Sequence, residues 1–209
     1  MSVVKNYLIT GSVVFFMVTA GLGCSVSNKR LKQIGAVVVI GLAAKLIYDM
    51  VIDSESTQTT NEENVISKYK AAHFTLPPQP LLVSYQSNIK PGEVVKAGND
   101  ISVVSSLEVV PGTSTRQVDI KEKIIIFDNE DHTKELKSLT KMVNKETRAG
   151  GIFKNQFTFK LPKGMPQGVY PIKTLVYVNG KAFAPNDNRM QLVMNEADTQ
   201  SLLEVSVAP

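Results

Sequence analysis

The side chains that most often carry out chemistry in proteins are scarce in this chain. Its 209 residues include one cysteine, Cys24, and two histidines, His73 and His132, far apart in sequence. A soft-metal site needs several Cys or His ligands at a characteristic spacing, so neither histidine is expected to bind one. Gly-X-Ser-X-Gly, His-Glu-X-X-His and the phosphate-binding loop are also missing from the sequence. We therefore predict a protein that is not an enzyme and that carries no cofactor.

An acidic loop is the remaining candidate for ion binding. Asp128, Glu130 and Asp131 lie within four residues, and carboxylate oxygens suit a hard cation such as calcium. Their spacing does not match the ligand positions of an EF-hand, so we predict a solvated turn and no metal site. The formal net charge of +4 is spread along the chain. Because no basic stripe is interleaved with aromatic residues, nucleic acid is not an expected partner.

Cys24 lies at the end of an uncharged N-terminal stretch. No charged side chain occurs from Asn6 to Asn28, and Lys5 gives this stretch a positive start. Residues 13–18 are strongly apolar, and residues 19–21 are small. A positive start, a short apolar block and a small-residue exit are typical of a secretory signal peptide. The block is shorter than the roughly 20 residues that cross a bilayer, so the sequence predicts export.

The stretch LGCS, residues 22–25, resembles the lipobox of bacterial lipoprotein precursors. The resemblance implies that Cys24 receives a diacylglyceryl group and that the signal peptide, residues 1–23, is removed. It departs from the family's pattern at Gly21, where leucine is preferred. Ser25 in place of aspartate implies, for enteric-type lipoproteins, transport to the outer membrane. Cleavage by the ordinary signal peptidase and retention of the segment as an uncleaved anchor are the alternatives.

A second apolar segment, Ile34–Ile52, follows the cysteine. A helix that is apolar on almost every side must be buried in lipid or in protein. The candidate packing and pairing residues on this helix are Gly35, Gly41, Ala44, Lys45 and Asp49. The three small residues would allow another helix to approach closely, and the two charged residues lie four apart and can pair. For residues 24–52 we predict a lipidated N-terminus and a helix that packs on partners or on the membrane surface, with a transmembrane hairpin as the alternative.

Residues 53–80 are predicted to separate this helix from a globular module. Asp53–Asn64 are polar, acidic and free of aliphatic side chains, which indicates a flexible linker with a reach of roughly 20 Å. Residues 60–63, Thr-Asn-Glu-Glu, match a capping box that would begin a short helix of about two turns. The proline-rich stretch 77–80 would then lead the chain into the module in an extended conformation.

Beyond Pro80, apolar residues recur at every second position in short runs that end at Gly, Pro, Asn or Asp. Such runs are typical of strands, and Asn179-Gly180 indicates a two-residue hairpin turn. The run Lys134–Val143 leaves strand and helix both open. Roughly six to eight strands over residues 81–209 predict a mainly β fold, an antiparallel immunoglobulin-like β-sandwich preceded by the signal or anchor, the apolar helix and the linker.

One stretch of the module, LPKGMPQGVYPIKTLVYVNG (Leu161–Gly180), resembles the late strands of immunoglobulin-like modules in bacterial envelope proteins. In those modules a Pro/Gly turn and a tyrosine precede an apolar strand. The resemblance implies a structural role for Tyr170 as a corner tyrosine. The Cys…Trp…Cys pattern of true immunoglobulin domains is absent, since the chain has one cysteine and no tryptophan.

These features together predict a non-enzymatic cell-envelope lipoprotein that tethers a protein-interaction module at the periplasmic or outer face of a membrane, with the outer membrane as the expected location. The expected partners are membrane lipid, through the acyl anchor, and other envelope proteins or a second copy, through residues 34–52 and the sandwich. Two alternatives remain: an inner-membrane protein with an N-terminal helical hairpin whose module faces the periplasm, and an exported enzyme.

Overall fold

The alternating apolar runs form strands in the computed structural model, which describes residues 44–115 and 117–193. Nearly all of these strands pair antiparallel, which confirms the prediction of a mainly β sandwich. One helix, α1 (Glu62–His73), connects the first two strands. The strands are β1 (Ile52–Thr60), β2 (Leu81–Lys90), β3 (Val94–Lys96), β4 (Asp100–Val110), β5 (Ile120–Phe127), β6 (Glu135–Met142), β7 (Gly151–Lys160), β8 (Gly168–Val178), β9 (Lys181–Ala182) and β10 (Asn186–Val193).

The strands form two sheets. The first sheet has the order β1-β7-β4-β2, and the second has the order β3-β10-β8-β5-β6, with β9 paired to β8. Only the short β3 pairs in parallel, with β10. In β7 and β8 every second side chain is buried, because successive residues of a strand point to opposite faces of the sheet. The buried faces of the two sheets therefore form the core.

The core consists of two apolar clusters and a polar layer between them. The first cluster lies at the end of the sandwich where β1 begins, and it includes Ile101, Phe159 and Ile172. The second cluster lies towards the Thr60 end of β1, and it includes Leu107 and Phe153. Buried polar side chains separate the clusters near the middle of the strands. This layer is the least expected part of the interior and is described with the candidate site.

The predicted linker is wrong, because residues 52–60 form strand β1 at the edge of the first sheet. β1 pairs with β7 residue by residue from Ile52, opposite Phe159, to Gln58, opposite Phe153. Its burial alternates along its whole length even though most of its side chains are polar. Backbone hydrogen bonds to β7, not aliphatic burial, hold it in the sheet. The sandwich therefore begins near residue 52 and not at residue 81.

Helix α1 is longer than the two turns expected, and its N-cap is Asn61 instead of Thr60. The side chain of Asn61 accepts a hydrogen bond from the backbone N–H of Asn64 at 3.1 Å. Val65 is fully buried and fixes the helix to the first sheet. The helix ends at His73, and the C-cap residue Phe74 has φ 65° and is 88% exposed.

The end of the segment Ile34–Ile52 packs on the sandwich itself. Residues 44–49 are helical, and Ile47 and Met50 are buried in the first apolar cluster, where Ala44 also packs. For this part the expectation of packing on a partner or on the membrane is wrong, because the two apolar side chains fill the core beside the polar strand β1. Gly35 and Gly41 lie outside the described residues.

The predicted pairing of Lys45 with Asp49 is not found. Both side chains are exposed, and neither takes part in an ion pair with another residue of the part that the structure describes. At the surface the Coulomb gain from such a pair is small compared with the side-chain entropy that it costs. Within residues 44–115 and 117–193, no helix is long and apolar enough to cross a membrane.

Two further local predictions can be compared with the structure. The ambiguous run Lys134–Val143 is a strand, β6, which pairs with β5. Asn179 and Gly180 both have positive φ, 48° and 82°, as a tight two-residue hairpin turn requires. The hairpin between β8 and β9 is therefore confirmed.

Candidate functional site

The sandwich is closed on one side and open on the other. On the closed side, polar side chains join β2 to the second sheet: the hydroxyl of Thr174 and the side-chain amide of Asn188 contact Ser87 Oγ at 2.9 and 2.7 Å. On the open side, the edges are β1 in the first sheet and β6 in the second. A groove lined by β1 and by the end of β6 lies between the sheets on this side.

The helical residues 44–49 cover half of the open side. Ile47 and Met50 fill the interior next to the start of β1. Lys137 of β6 donates a hydrogen bond to the backbone carbonyl of Tyr48, and its ammonium group lies 5.8 Å from the centre of the Tyr48 ring. The other half of the open side, towards the Thr60 end, stays uncovered by the described residues.

The uncovered half contains a groove of about 490 Å³, which we call the interlayer groove. Residues 54–56 and Gln58 of β1 form one wall, and residues 141–147, at and after the end of β6, form the other. Phe153 of β7, which is 1% exposed, lies at its base. This volume is in the range of clefts that accept small molecules or short peptide segments.

The β1 edge beside the groove lacks the basic residues and prolines that often protect free edge strands. Free edge strands usually carry lysine, proline or a bulge that discourages a further strand from pairing. β1 has neither lysine, arginine nor proline, its charged side chains are Asp53 and Glu55, and its pairing with β7 is regular from Ile52 to Gln58, with a register shift between Gln58 and Thr60. By contrast, β6 carries Lys137 and Lys141, and β3 has three residues. Among the described edges, β1 offers the longest backbone that a partner strand could reach through an open side.

The polar layer of the core is centred on Glu122 of β5, which is fully buried. Its carboxylate accepts hydrogen bonds from the hydroxyls of Tyr85 and Ser105, each at 2.7 Å, and from the side-chain amide of Asn155 at 2.6 Å. The three donors belong to β2, β4 and β7. One side chain of the second sheet is thus bound to three strands of the first sheet.

Burial raises the pKa of Glu122, and the hydrogen bonds from Tyr85, Ser105 and Asn155 oppose that rise. Burial, together with the nearby carboxylate, also raises the pKa of the Tyr85 hydroxyl. A buried carboxyl group without a neighbouring cation favours its neutral form. Glu122 therefore joins the two sheets through hydrogen bonds, and its own carboxyl group is not accessible from outside.

The layer nevertheless reaches the interlayer groove at one point. The hydroxyl of Ser56 in the wall of the groove donates a hydrogen bond to the side-chain oxygen of Asn155, whose amide group binds Glu122. The orientation of β1 is therefore fixed from within the core. A rigid edge strand loses less conformational entropy when a partner binds than a mobile strand would.

The acidic loop is organised by its own hydrogen bonds. Asp128 is buried, accepts hydrogen bonds from the N–H groups of Glu130 and Asp131 at 2.9 and 3.2 Å, and lies 3.5 Å from the ammonium group of Lys134. Hydrogen bonds from the hydroxyl and N–H of Thr133 lower the pKa of Asp131. No group of three or more His, Cys, Asp or Glu within the described ranges could hold a metal ion.

The other sequence candidates lie apart from the groove. Cys24 is outside the described residues. The ring of His73 stacks on Tyr69 at 4.3 Å between ring centres. Tyr170 is fully buried, and its hydroxyl donates to the carbonyl of Pro166 at 2.8 Å, which is the geometry of a tyrosine corner. Burial also raises the pKa of this tyrosine, as do the charges of Asp128 and Glu130.

Reasoning from sequence missed both the groove and the polar layer. The stretch 53–60 carried no signal for the groove, because its inward and outward side chains are all polar. The signal for the polar layer was Glu122, which occupies an inward position in the apolar run Ile120, Ile124 and Ile126. A charge at such a position is costly unless it is hydrogen-bonded, and this made it a candidate for a buried network.

No protein-family model and no curated protein matches the chain. Among solved structures, it is similar to the CARDB domain of the PF1109 protein from Pyrococcus furiosus, with a TM-score of 0.38 and 15% identity over 58% of this chain and 100% of that chain. It is also similar to a cohesin module of a family 33 glycoside hydrolase from Clostridium perfringens, with a TM-score of 0.30 and 10% identity over 58% of this chain and 100% of that chain.

A further match is the alkylpurine DNA glycosylase AlkC of Pseudomonas fluorescens, with a TM-score of 0.33 and 14% identity. The match covers 55% of this chain but 30% of that chain. At these identities and TM-scores the similarities carry no inference about function. The assignment to the β-sandwich class rests on the two sheets described above.

Proposed function

We propose that the protein is a cell-envelope lipoprotein, tethered at Cys24, whose β-sandwich binds a protein partner at the β1 edge and the interlayer groove. The observation that supports this proposal most strongly is the open side of the sandwich. There an edge strand without lysine, arginine or proline, regularly paired from Ile52 to Gln58, lies beside a groove of about 490 Å³. Strand addition at such an edge needs no reactive group, because main-chain hydrogen bonds supply the affinity.

The start of the described chain indicates how the module is held. Residues 44–49 pack on the sandwich through Ile47 and Met50 and lead directly into β1. A flexible linker after residue 52 is therefore absent, and a tether at Cys24 would leave fewer than 30 residues between the acyl chains and the core. In this arrangement the first cluster is near the membrane and helix α1 is at the far end.

The tether is tested by metabolic labelling with palmitate and by mass spectrometry of the mature N-terminus. The wild type is expected to incorporate label and to begin at Cys24, whereas Cys24→Ser is expected to remain an unlabelled precursor. Equal labelling of the two proteins would contradict lipidation. An uncleaved N-terminus would instead favour the inner-membrane alternative, and a mature N-terminus at residue 21 would indicate cleavage by the ordinary signal peptidase.

The binding surface is tested by co-purification from detergent-solubilised membranes. Ser54→Lys places a charge in the wall of the groove, and Thr57→Lys places the same charge on the exposed face of the same strand. Partners are expected to be lost in the first variant and retained in the second. An identical set of partners for both variants and the wild type would contradict the proposal.

A further inference from the structure

Unusual backbone geometry occurs at the residue that follows α1. Phe74 has φ 65° and ψ -42°, and the N–H of Thr75 donates a hydrogen bond to the carbonyl of His73 at 2.7 Å. This combination is a γ-turn with a positive φ at its centre, which is rare and strained. Glycine is the usual residue where a chain leaves a helix with a positive φ. A bulky side chain at such a position costs free energy that glycine would not.

The ring of Phe74 contributes little to the core that would offset this cost. The residue is 88% exposed, more than any other large apolar residue of the described ranges. Contact of so much apolar surface with water is itself unfavourable. Backbone strain persists only where the surrounding structure imposes it, and it is concentrated at functional sites. Phe74 therefore combines two unfavourable features that the folding of the described module does not explain.

The chain is held in place on both sides of Phe74. Before it, the ammonium group of Lys68 donates hydrogen bonds to both carboxylate oxygens of Glu108 on β4, at 3.1 and 3.0 Å. After it, the carbonyls of residues 77 and 78 accept hydrogen bonds from the N–H groups of residues 113 and 114, at 3.0 and 3.1 Å. The ring is thus presented on a fixed backbone, which loses little conformational entropy when the ring binds.

The charge beside Phe74 is positive. Lys70 is exposed in the last turn of α1, which has no acidic residue, and its carbonyl accepts a hydrogen bond from the Phe74 N–H at 2.8 Å. Glu62 and Glu63 belong to the first turn, at least about 15 Å away along the helix axis. The nearby loop residues 111–115 carry no charge. A surface complementary to this end of α1 is therefore apolar at its centre and acidic at its rim.

We propose that Phe74 is the anchor of a second protein-binding surface, and we call Lys70 and Phe74 the α1 tip. The ring enters an apolar pocket of a partner protein, and carboxylates at the rim of that pocket face Lys70. A few anchors of this kind carry most of the binding free energy of an interface. A pocket requires one direction of the side chain, which the strained and fixed backbone supplies, whereas a lipid surface accepts an apolar ring in many directions.

The α1 tip lies apart from the interlayer groove. The helix has 12 residues, so about 18 Å separate the tip from the end of β1. The inference therefore goes beyond the proposed function, and a variant of one surface leaves the side chains of the other in place.

Unfolding of the purified full chain in detergent tests the strain. Phe74→Gly removes the cost of the positive φ, so its urea midpoint is expected to rise by about 0.5 M. Phe74→Ala keeps the positive φ and loses only an exposed ring, so its midpoint is expected to stay within about 0.2 M of the wild type. A midpoint that does not rise in Phe74→Gly, or that falls further in Phe74→Ala, would mean that the ring supports the fold and would overturn the inference.

A photoreactive phenylalanine derivative at position 74, introduced in intact cells, identifies the partner through mass spectrometry of the cross-linked product. A discrete protein product is expected from this position. The same derivative at position 63, in the first turn of α1, is the control and is expected to give none. Cross-links to lipid alone, or the same products from both positions, would overturn the inference.

Co-purification of the identified partner tests the ring. Phe74→Ala and Phe74→Gly are each expected to retain at least about ten-fold less partner than the wild type. Val94→Ala shortens another apolar side chain, at a residue that is 61% exposed, and is expected to retain the full amount. Loss of the partner from Phe74→Gly, the variant expected to be the most stable, excludes misfolding as the cause. Undiminished retention by Phe74→Ala would overturn the inference.

Variants of Lys70 test the acidic rim of the pocket. Lys70→Glu is expected to retain about ten-fold less partner, because like charges then face each other, whereas Lys70→Arg is expected to retain the wild-type amount. Lys90→Glu makes the same change at an exposed position at the end of β2, and it is expected to have no effect. Equal retention by Lys70→Glu and Lys90→Glu would overturn the proposed class of partner.

Discussion

At the scale of single residues, the fold depends on a carboxyl group that is buried without a cation. Glu122 binds three strands of the opposite sheet through Tyr85, Ser105 and Asn155. A buried polar group in such a network destabilises the fold if it lacks a hydrogen-bond partner. When every partner is present, the network favours one arrangement of the strands. The network fixes the position of Ser56 in the groove through Asn155. The position of the β1 edge thus depends on Glu122, which is buried and out of reach of a binding partner.

The raised pKa of Glu122 predicts a dependence of stability on pH. Because the folded-state pKa lies above the ordinary value of 4.5, this group's contribution to stability is fully present below pH 4.5. It is lost as the pH rises through the folded-state pKa, since folding then requires burial of a charge or uptake of a proton. Glu122→Gln can keep all three partners, so it is expected to gain stability over the wild type as the pH rises from 4 to 8.

Urea unfolding of the two proteins at several pH values measures this difference. Glu93→Gln, at an exposed position between β2 and β3, is the matched control and is expected to follow the wild type throughout. A constant difference between Glu122→Gln and the wild type from pH 4 to 8 would contradict a buried carboxyl group with a raised pKa.

At the scale of elements, the sequence predicted most strands because apolar residues alternate in them. The hairpin at Asn179-Gly180 and the sandwich class followed from that pattern and from turn residues. β1 was missed because its inward residues, such as Ser54 and Ser56, are polar. Alternation of burial without alternation of hydropathy carries no signal in the sequence. The groove was missed for the same reason. It lies beside the inward side chains of β1, which are polar and do not fill the space with apolar atoms.

Residues 44–49 show a second limit of reasoning from sequence. An apolar helix next to a predicted anchor was assigned to lipid or to partners, although Ile47 and Met50 pack in the core. Periodicity shows that a helix must be buried but not what buries it. We predict that Ile47→Ala lowers the free energy of unfolding by about 2–4 kcal/mol, because it leaves a cavity in the first cluster.

Val51→Ala provides the control for that substitution, since Val51 is 71% exposed, and it is expected to change the free energy of unfolding by less than about 0.5 kcal/mol. Both values come from urea unfolding monitored by circular dichroism. Equal effects of the two substitutions would mean that the helical residues do not belong to the folded module.

At the scale of the whole molecule, the boundary of the module matters for its function. The turn signals and alternating runs predict that the sandwich comprises residues 81–209 and is self-contained. The structure instead places β1 and α1 in the module. Their removal would expose the edge of β7 and the part of the first sheet on which Val65 packs. We therefore expect residues 44–209 to unfold cooperatively and residues 75–209 to aggregate or to unfold at lower urea concentration.

The comparison of these two fragments needs no partner and no membrane. Size-exclusion chromatography and urea unfolding of each fragment give the result directly. If residues 75–209 were as stable and as monodisperse as residues 44–209, β1 would be an accessory strand and its edge a poor choice for a binding site.

Site-specific photo-cross-linking in intact cells tests most directly whether the β1 edge binds a protein. A photoreactive amino acid at position 54 faces the interlayer groove, and the same amino acid at position 57 faces away from it. We predict discrete cross-linked products of higher mass from position 54, on a chain that still carries its acyl anchor, and few from position 57. Cross-links of equal yield from both positions, or none from position 54, would contradict a binding site in the groove.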